Sequence, residues 1–222
     1  LDIADLTSTD LRSLIAQAQD FINHPPAPLL SNKRIANLFF EPSTRTRCSF
    51  DIAAKNLGAD VINLDCQQSS LCKGETDLDT VMNLQAMGID GFVIRHQQAG
   101  MVQTIAKALG DRAIVINAGC GTLQHPSQAL LDMLTISQHF PDFSALSIAI
   151  IGDILHSRVA HSDIAALTKL DVKDIRLIAP KHLLPETTDK MAVKIESDLK
   201  QGLKNVNIIM TLRMQLERMP EH

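Results

Sequence analysis

The sequence predicts an α/β protein built from two parallel-sheet α/β domains. Short runs rich in β-branched and aromatic residues alternate with longer segments of helical periodicity, which is the pattern of successive βαβ units. Gly88 and Gly110 each follow a helical segment, at the position where a glycine commonly ends a helix. The alternation stops near Pro141 and then starts again, and this interruption indicates a second domain.

The first predicted element is an amphipathic helix, Asp10–Ile22, whose apolar residues recur on one face. Thr7 can cap this helix together with Asp10 at the capping-box position, and a proline-rich stretch follows its end. The first alternating series then supplies four predicted strands, at Arg34–Phe40, Asp60–Asp65, Gly91–His96 and Ala113–Ala118. Its predicted helices are Thr44–Leu57, Leu78–Met87, Met101–Leu109 and a longer helix from Pro126 to about His139.

The second series begins with a predicted strand at Leu146–Asp153. It continues with a helix over about Ser157–Leu170, a strand at Asp174–Ala179, a helix over about Thr188–Gln201 and a strand at Asn205–Thr211. We place the boundary so that residues 1–140 and 141–222 form the two predicted domains. Because ligand groups collect at the carboxyl ends of parallel strands, the polar residues that follow each strand are the candidates for a site.

The composition excludes several classes of function. The net charge of −4 is spread along the chain, and there is no Trp or Tyr, so neither a nucleic-acid surface nor a base-stacking platform is expected. No apolar run reaches the ~20 residues that a membrane-spanning helix needs. The four cysteines form no Cys-x-x-Cys pair and lack zinc-site spacing with a histidine. We therefore expect a cytoplasmic protein with reduced thiols, no metal, no nucleic acid and no membrane partner.

The strongest functional signal is Phe39–Arg47, which reads Phe-Phe-Glu-Pro-Ser-Thr-Arg-Thr-Arg after the first predicted strand. A helix is predicted to begin near Ser43, so backbone N–H groups, hydroxyls and arginines converge at its N-terminus. Arginines there oppose the helix dipole, and a bound anion would offset them. The segment therefore predicts a phosphate site, with an ordinary Ser/Thr cap as the alternative. No P-loop and no complete dinucleotide fingerprint occurs, so a kinase or an NAD enzyme is not supported.

Four segments of the chain resemble the aspartate and ornithine carbamoyltransferases. Phe39–Arg47 followed by Cys48-Ser49-Phe50 is similar to the carbamoyl-phosphate signature of both branches, and His125–Asp132 resembles their second shared signature. Ser69–Thr76 resembles a loop by which aspartate enzymes send a lysine into a neighbouring subunit's site. Leu212–Arg218 resembles their Arg-x-Gln aspartate-binding segment. The ornithine enzymes lack the last two patterns, and the four motifs follow the family's order.

The resemblance implies a transferase of pyrimidine biosynthesis that moves the carbamoyl group of carbamoyl phosphate to the amine of L-aspartate, with no cofactor. It implies a carbamoyl-phosphate site formed by Ser43, Thr44, Arg45, Thr46, Arg95, His125 and Gln128. Of these, Thr46, Arg95 and His125 would polarise the carbonyl oxygen and stabilise the oxyanion, which is commonly a large catalytic effect. Gln128 would bind the carbamoyl amide. A surface arginine at position 95 and a structural histidine at position 125 are the alternatives.

The resemblance also implies an aspartate site built on arginines, which recognise carboxylates in bidentate geometry. Arg158 would bind the α-carboxylate, and Arg213 and Gln215 the β-carboxylate; a solvated charged stretch is the alternative for these two. Ser69 and Lys73 would be donated from an adjacent subunit, with Lys73 also contacting aspartate, and a mobile polar loop is the alternative. Such donation implies a homotrimer. Regulatory or dihydroorotase-like chains could bind as further partners.

Members of the family continue well beyond the position of His222, so the resemblance predicts that the C-terminal part of the aspartate domain is missing from this sequence. Two other functions remain open. One is transfer to ornithine or another amine, which needs a different acceptor motif. The other is a non-catalytic, structural family member, and the intact set of Ser43–Thr46, Arg95, His125 and Arg158 argues against it.

Overall fold

The computed structural model describes residues 2–65, 75–185 and 193–215. By their contacts, the residues divide into two compact units, one comprising Asp20–Gly121 and the other Asp2–Gln19 together with the chain from Thr122 onwards. Among the described residues, each unit contains one four-stranded sheet in which all neighbouring strands are parallel. The predicted class, α/β with two parallel sheets, is therefore confirmed.

The chain begins with a short 3-10 turn, Ile3–Asp5, and helix α1 (Ser8–Asn23). The predicted capping box is confirmed, because the Thr7 hydroxyl accepts a hydrogen bond from the Asp10 N–H (3.1 Å) and the Asp10 carboxylate accepts one from the Thr7 N–H (2.8 Å). Leu11 and Ile15 of α1 are buried in the apolar core of the second unit. This contact explains why the start of α1 belongs to that unit.

The first unit has the strand order β2-β1-β3-β4. Its strands are β1 (Arg34–Phe39), β2 (Asp60–Asp65), β3 (Gly91–His96) and β4 (Ile114–Cys120). Its helices are α2 (Thr44–Asn56), α3 (Asp77–Ala86) and α4 (Met101–Leu109). The larger core packs α3 and α4 against strand residues such as Leu38 and Phe92, while a smaller cluster at Phe39 and Val93 contacts Phe50 of α2.

The second unit has the strand order β7-β6-β5-β8. After α5 (Pro126–His139) come β5 (Ser147–Ile151), α6 (Arg158–Lys169), β6 (Asp174–Ile178), β7 (Val193–Glu196), α7 (Leu199–Gly202) and β8 (Ile208–Thr211). Helix α5 packs against α6, and Met133 of α5 joins Ile148, Ile150 and Leu167 in one buried cluster. Burial of apolar side chains in such clusters is the main favourable contribution to the folding of each unit.

The prediction of a helix over about Thr188–Gln201 is wrong for residues 193–198, which the structure describes. Val193–Glu196 forms strand β7, and a separate four-residue helix, α7, follows it. The segment Val-Lys-Ile-Glu alternates β-branched and charged residues, which is typical of an edge strand. Lys194 there forms an ion pair with Asp174 of the neighbouring strand (2.9 Å). Asp198 then accepts hydrogen bonds from two backbone N–H groups of α7 and so starts a new helix.

The contacts divide the chain at a different place from the predicted boundary between residues 140 and 141. Helix α5 lies before that boundary, yet it packs on α6 and shares the core of the second unit. The division into domains 1–140 and 141–222 stays a prediction, because the two compact units are defined by contacts and not by position along the sequence. None of the helices in the described part of the chain is long and apolar enough to cross a membrane.

Candidate active site

Helix α2 begins directly after the turn that follows β1, and its N-terminus carries the predicted phosphate ligands. Ser43 is the N-cap residue in an extended conformation, but its side chain does not cap the helix. Thr44 and Arg45 are exposed, Thr46 is half-buried, and the first turn contains no acidic residue. The first N–H groups of a helix have no intrahelical acceptor, so this turn offers hydroxyls, N–H groups and positive charge together.

Arg95 lies near the end of β3, beside the turn that leads into α2. The Phe40 N–H donates to the Arg95 carbonyl (2.9 Å), and the Arg95 Nε lies 2.7 Å from the Glu41 Oε1 in a mostly buried ion pair. The register between β3 and β4 shifts between Ile94 and His96, so Arg95 lies at an irregularity of the ladder. Such irregularities redirect side chains. The structure thus brings Arg95 next to the predicted phosphate segment and adds Glu41 as its partner.

His125 and Gln128 lie in the first turn of α5. His125 is the N-cap residue and is buried, and Pro126 occupies the first helical position as predicted. The His125 N–H donates to the Ser162 Oγ (2.9 Å), and its Nδ1 lies 3.4 Å from the Ser127 Oγ. Gln128 is half-buried and donates from Nε2 to the Asp132 carboxylate (3.0 Å).

Arg158 is the first residue of α6, and it is 2% exposed. Ser157 caps the helix by accepting from the Ala160 N–H (3.2 Å), and no acidic residue lies in the first turn. A cation at this end of a helix is opposed by the helix dipole, and a bound carboxylate would be favoured by it. This position fits the predicted role of Arg158 as a carboxylate ligand. One turn further along α6, Ser162 holds the backbone of His125.

The segment after β8 carries Arg213, which is exposed, and Gln215, which is 8% exposed. The carboxylate of Asp153, which is fully buried, accepts from the Gln215 N–H (3.1 Å) and from the His156 Nδ1 (2.9 Å). The Arg213 guanidinium donates to the Met214 carbonyl (3.2 Å). Asp153 therefore fixes the backbone of the predicted aspartate-binding segment against the end of β5.

Two carboxyl groups behind Gln128 have raised pKa values. Burial raises the pKa of Asp163 well above its usual range, and the neighbouring Asp132 charge raises it further. Burial also raises the pKa of Asp132, although the hydrogen bonds from Gln128 and Asp163 oppose that shift. On the same helix as Asp163, burial lowers the pKa of His161, whose Nδ1 lies 3.2 Å from the Thr122 carbonyl oxygen. These are the strongest perturbations near the predicted ligands.

Ser69 and Lys73, which are predicted to be donated to a neighbouring subunit, lie outside the described residues. Within residues 2–65, 75–185 and 193–215, no group of three or more His, Cys, Asp and Glu side chains is placed to hold a metal ion. The first unit contains the predicted ligands Ser43–Thr46 and Arg95, and the second contains His125, Gln128, Arg158, Arg213 and Gln215.

Sequence reasoning assigned no role to four residues near the predicted ligands. Glu41, Asp153 and Ser162 contact a predicted ligand directly, and Asp163 lies beside Asp132, which holds Gln128. Glu41 and Asp153 each lie two residues after a strand of a parallel sheet, so their position made them candidates from the sequence, but it assigned them no role. Ser162 and Asp163 are mid-helix residues with no local motif. Nothing short of the α5–α6 contact reveals their role.

Comparison with known proteins agrees with this arrangement. Residues 1–138 match the model of the aspartate/ornithine carbamoyltransferase carbamoyl-phosphate-binding domain. The chain belongs to the aspartate/ornithine carbamoyltransferase family. The predicted family membership is therefore confirmed, and residues Ser43–Thr46, Arg95 and His125 lie within the matched region.

Solved structures of the family are similar over nearly the whole chain. Aspartate transcarbamoylase from Trypanosoma cruzi in complex with carbamoyl aspartate and phosphate is 30% identical, with a TM-score of 0.86 over 98% of this chain and 75% of that chain. The same enzyme in complex with carbamoyl phosphate and aspartate is 29% identical, with a TM-score of 0.85 over 98% of this chain and 72% of that chain. Its complex with N-(phosphonacetyl)-L-aspartic acid gives 30% identity and a TM-score of 0.84.

Proposed function

We propose that this protein transfers the carbamoyl group of carbamoyl phosphate to the amine of L-aspartate, giving N-carbamoyl-L-aspartate and phosphate in de novo pyrimidine biosynthesis. The observation that carries the proposal is the 30% identity, over 98% of the chain, to an aspartate transcarbamoylase in complex with carbamoyl aspartate and phosphate. The similarity extends through the second unit, where the residues predicted to select the acceptor lie.

The phosphate of the donor binds at the start of α2 in this proposal, on Ser43, Thr44, Arg45 and Thr46. The uncapped Ser43 hydroxyl and the absence of an acidic residue in that turn support this role. Arg95 adds charge from the neighbouring strand, and Glu41 orients it through the 2.7 Å contact. A charge-assisted site of this kind binds a dianion and also polarises the leaving phosphate.

The carbonyl oxygen of the donor accepts hydrogen bonds from Thr46, Arg95 and His125. Attack by the aspartate amine forms the new C–N bond, and the C–O bond to phosphate breaks as phosphate leaves with the electron pair. The departing phosphate accepts the proton that the amine loses, so no side chain acts as a nucleophile. Orientation and electrostatic stabilisation then account for catalysis.

The acceptor binds through its two carboxylates, with Arg158 on the α-carboxylate and Arg213 and Gln215 on the β-carboxylate. Support comes from the buried Arg158 at the start of α6 and from the anchoring of Gln215 by Asp153. Ser69 and Lys73 are contributed by an adjacent subunit, and the protein is a cytoplasmic homotrimer. The family resemblance of the loop that carries Lys73 supports this part of the proposal.

A carbamoyl-transfer assay with L-aspartate and L-ornithine in parallel tests the activity. We expect N-carbamoyl-L-aspartate and no citrulline. Product from ornithine alone would overturn the acceptor, and product from neither substrate would overturn the activity.

Arg45→Ala should raise KM for carbamoyl phosphate by about 10- to 100-fold, since a charge-assisted hydrogen bond contributes about 1.5–3 kcal/mol. Lys55→Ala is the matched control, because Lys55 is an exposed base of the same helix that pairs with Asp51. An equal effect of both substitutions would argue against a phosphate site at the start of α2.

Arg213→Ala should instead raise KM for aspartate and leave KM for carbamoyl phosphate within about twofold. Lys200→Ala, another exposed base of the second unit, is the control. Unchanged aspartate saturation in Arg213→Ala would contradict the acceptor assignment.

The shared site is tested by mixing Lys73→Ala and Arg45→Ala, each first assayed alone at a low carbamoyl phosphate concentration at which its own activity is small. If Lys73 acts in a neighbouring subunit, mixed trimers contain some sites with both native residues and recover part of the activity. No recovery after subunit exchange would refute donation between subunits.

A further inference from the structure

Two carboxyl groups, those of Asp132 on α5 and Asp163 on α6, lie next to Gln128 where the two helices pack together. Asp132 lies one turn after Gln128 on α5 and accepts its amide N–H at 3.0 Å. Asp163, on α6, is 0% exposed and lies within hydrogen-bonding range of Asp132. None of the donors described in the structure reaches either oxygen of Asp163.

Two ionised carboxylates cannot hydrogen-bond to each other, because both are acceptors only. Asp163 is fully buried and no described donor reaches it, so its ionised form would be both desolvated and repelled. Burial and the charge of Asp132 accordingly raise its pKa well above the usual range. A proton between the two groups satisfies both, with the Asp163 hydroxyl donating to Asp132.

This proton leaves Asp132 as an acceptor on both sides. It accepts from Asp163 on one side and from Gln128 on the other. Because the Gln128 amide must turn its nitrogen toward an acceptor, its carbonyl oxygen faces away from Asp132. A carbonyl oxygen presented in this way accepts a hydrogen bond from an N–H group of a ligand.

We propose that Asp132 and Asp163 form a proton-sharing pair that orients Gln128 so that its carbonyl oxygen selects the NH₂ group of the carbamoyl donor. Asp132 and Asp163 are positioning residues that act through Gln128. The inference rests on the proposed function, since it concerns the same donor site. It goes beyond that function by assigning the discrimination between a carbamoyl group and the equally shaped acetyl group to two buried carboxyls.

Other charged groups around the pair have partners of their own. On α6, the His161 Nδ1 lies at the Thr122 carbonyl, and the Lys169 ammonium donates to the Ala4 and Leu6 carbonyls. From the 3-10 turn that packs on α6, the Asp5 carboxylate accepts from the Asp2 N–H. Arg158 has contacts of its own at the start of α6. Asp132 is the charge that acts on the titration of Asp163.

The test compares the dissociation constants of carbamoyl phosphate and acetyl phosphate, measured by calorimetry on the purified protein and on two variants. Acetyl phosphate has a methyl group where carbamoyl phosphate has NH₂. Asp132→Asn presents an NH₂ group to Gln128, because its own carbonyl is engaged by Asp163. Gln128 then turns its carbonyl toward this amide and its nitrogen toward the ligand. We expect about tenfold weaker binding of carbamoyl phosphate and less than about a twofold change for acetyl phosphate.

Asp163→Asn is the conservative control, because its amide can donate to Asp132 as the protonated acid does. It should keep the wild-type ratio of the two dissociation constants. The ratio is taken as the dissociation constant of acetyl phosphate divided by that of carbamoyl phosphate. As the pH rises, Asp163 of the wild type loses its proton, and repulsion between the two carboxylates displaces Asp132 from Gln128, so this ratio should fall. The ratio of Asp163→Asn, which has no such charge, should stay constant. Binding of inorganic phosphate, which contacts neither carboxyl, reports that each variant is folded.

An unchanged ratio in Asp132→Asn, with phosphate still bound, would overturn the orientation of Gln128. Parallel pH profiles of wild type and Asp163→Asn would overturn the shared proton. Because the readout is binding, these outcomes are separate from the transfer assay: a protein that binds carbamoyl phosphate selectively but forms no carbamoyl aspartate would refute the proposed function alone. A wild type that binds neither acyl phosphate would refute both.

Discussion

Gly152→Ala should disturb the predicted aspartate-binding segment, because the added methyl group would clash with Leu212. Gly152 follows β5 with φ +121°, a conformation that L side chains rarely adopt. A Cβ there would lie 2.5 Å from the Leu212 carbonyl oxygen and 3.1 Å from the Leu212 Cβ. Leu212 is held by its N–H, which donates to the Ile151 carbonyl (2.8 Å), so the clash falls on backbone that is already fixed.

Two costs follow from this geometry. Backbone strain at such a φ costs about 1–3 kcal/mol. Relief of the clash requires Leu212 to move by about 0.9 Å, since ordinary contact begins near 3.4 Å. Arg213 directly follows Leu212, and Gln215 lies two residues further on. A displacement of about 1 Å at a reacting site can cost about 10²-fold in rate. We therefore expect kcat/KM for aspartate to fall by about 10- to 100-fold.

Steady-state saturation with each substrate, together with thermal unfolding, is the assay. The KM for carbamoyl phosphate should stay within about twofold, because the phosphate segment lies in the other unit. Gly100→Ala is the matched control: it also has a positive φ (+80°), but no atom lies within 4 Å of its Cβ position. Gly100→Ala should lower Tm without changing KM for aspartate. A normal aspartate KM in folded Gly152→Ala would refute the inference that this close approach positions the Arg213 segment.

Two further predictions concern the second unit. Ser162→Ala removes the acceptor of the buried His125 N–H and should raise KM for carbamoyl phosphate by about tenfold, since an unsatisfied buried donor costs about 1–3 kcal/mol. Ser162→Thr keeps the hydroxyl and is the control. Equal kinetics in the wild type, Ser162→Ala and Ser162→Thr would contradict the role of Ser162 in holding His125. Asp174 is held below its usual pKa mainly by Arg176, so it stabilises the fold above the ordinary Asp pKa of about 4 and loses this contribution as the pH falls further. The urea midpoint of the wild type should therefore fall more steeply below pH 5 than that of Asp174→Asn; parallel curves would exclude this contribution.

Most of the fold could be predicted because its signals are local. Gly91–His96 and Met101–Leu109 were predicted with the bounds that the structure shows, since a buried parallel strand and an amphipathic helix each have their own periodicity. The failure at Thr188–Gln201 came from a segment with mixed signals, in which Val193–Glu196 alternates as a strand and Asp198 starts a new helix. Backbone pairing with β6 decides the outcome there, and no local pattern contains that partner.

The predicted ligands were visible in the sequence because they cluster in short motifs, whereas the residues that orient them do not. Ser162 holds the backbone of His125 from 37 positions away, and Asp153 holds that of Gln215 across 62 positions. Such contacts form only when strands and helices are packed. Glu41 is the exception, because it lies in the same motif as the phosphate ligands, but its partner Arg95 comes from another strand.

The charges at the helix N-termini distinguish the predicted ligand-binding helices from the other helices. Helices α1 and α3 have acidic residues in their first turns and complete capping boxes at Thr7–Asp10 and Thr76–Asp79, which satisfy the positive helix end internally. Helices α2 and α6 have arginines there instead and no acidic residue. The helix dipole disfavours a cation at such a position by about 0.3–1 kcal/mol, before the other contacts of that cation are counted. A bound anion makes the interaction of the helix end with its surroundings favourable. Carbamoyl phosphate and aspartate should therefore each raise Tm, the first by protecting the unit that contains α2 and the second by protecting the unit that contains α6.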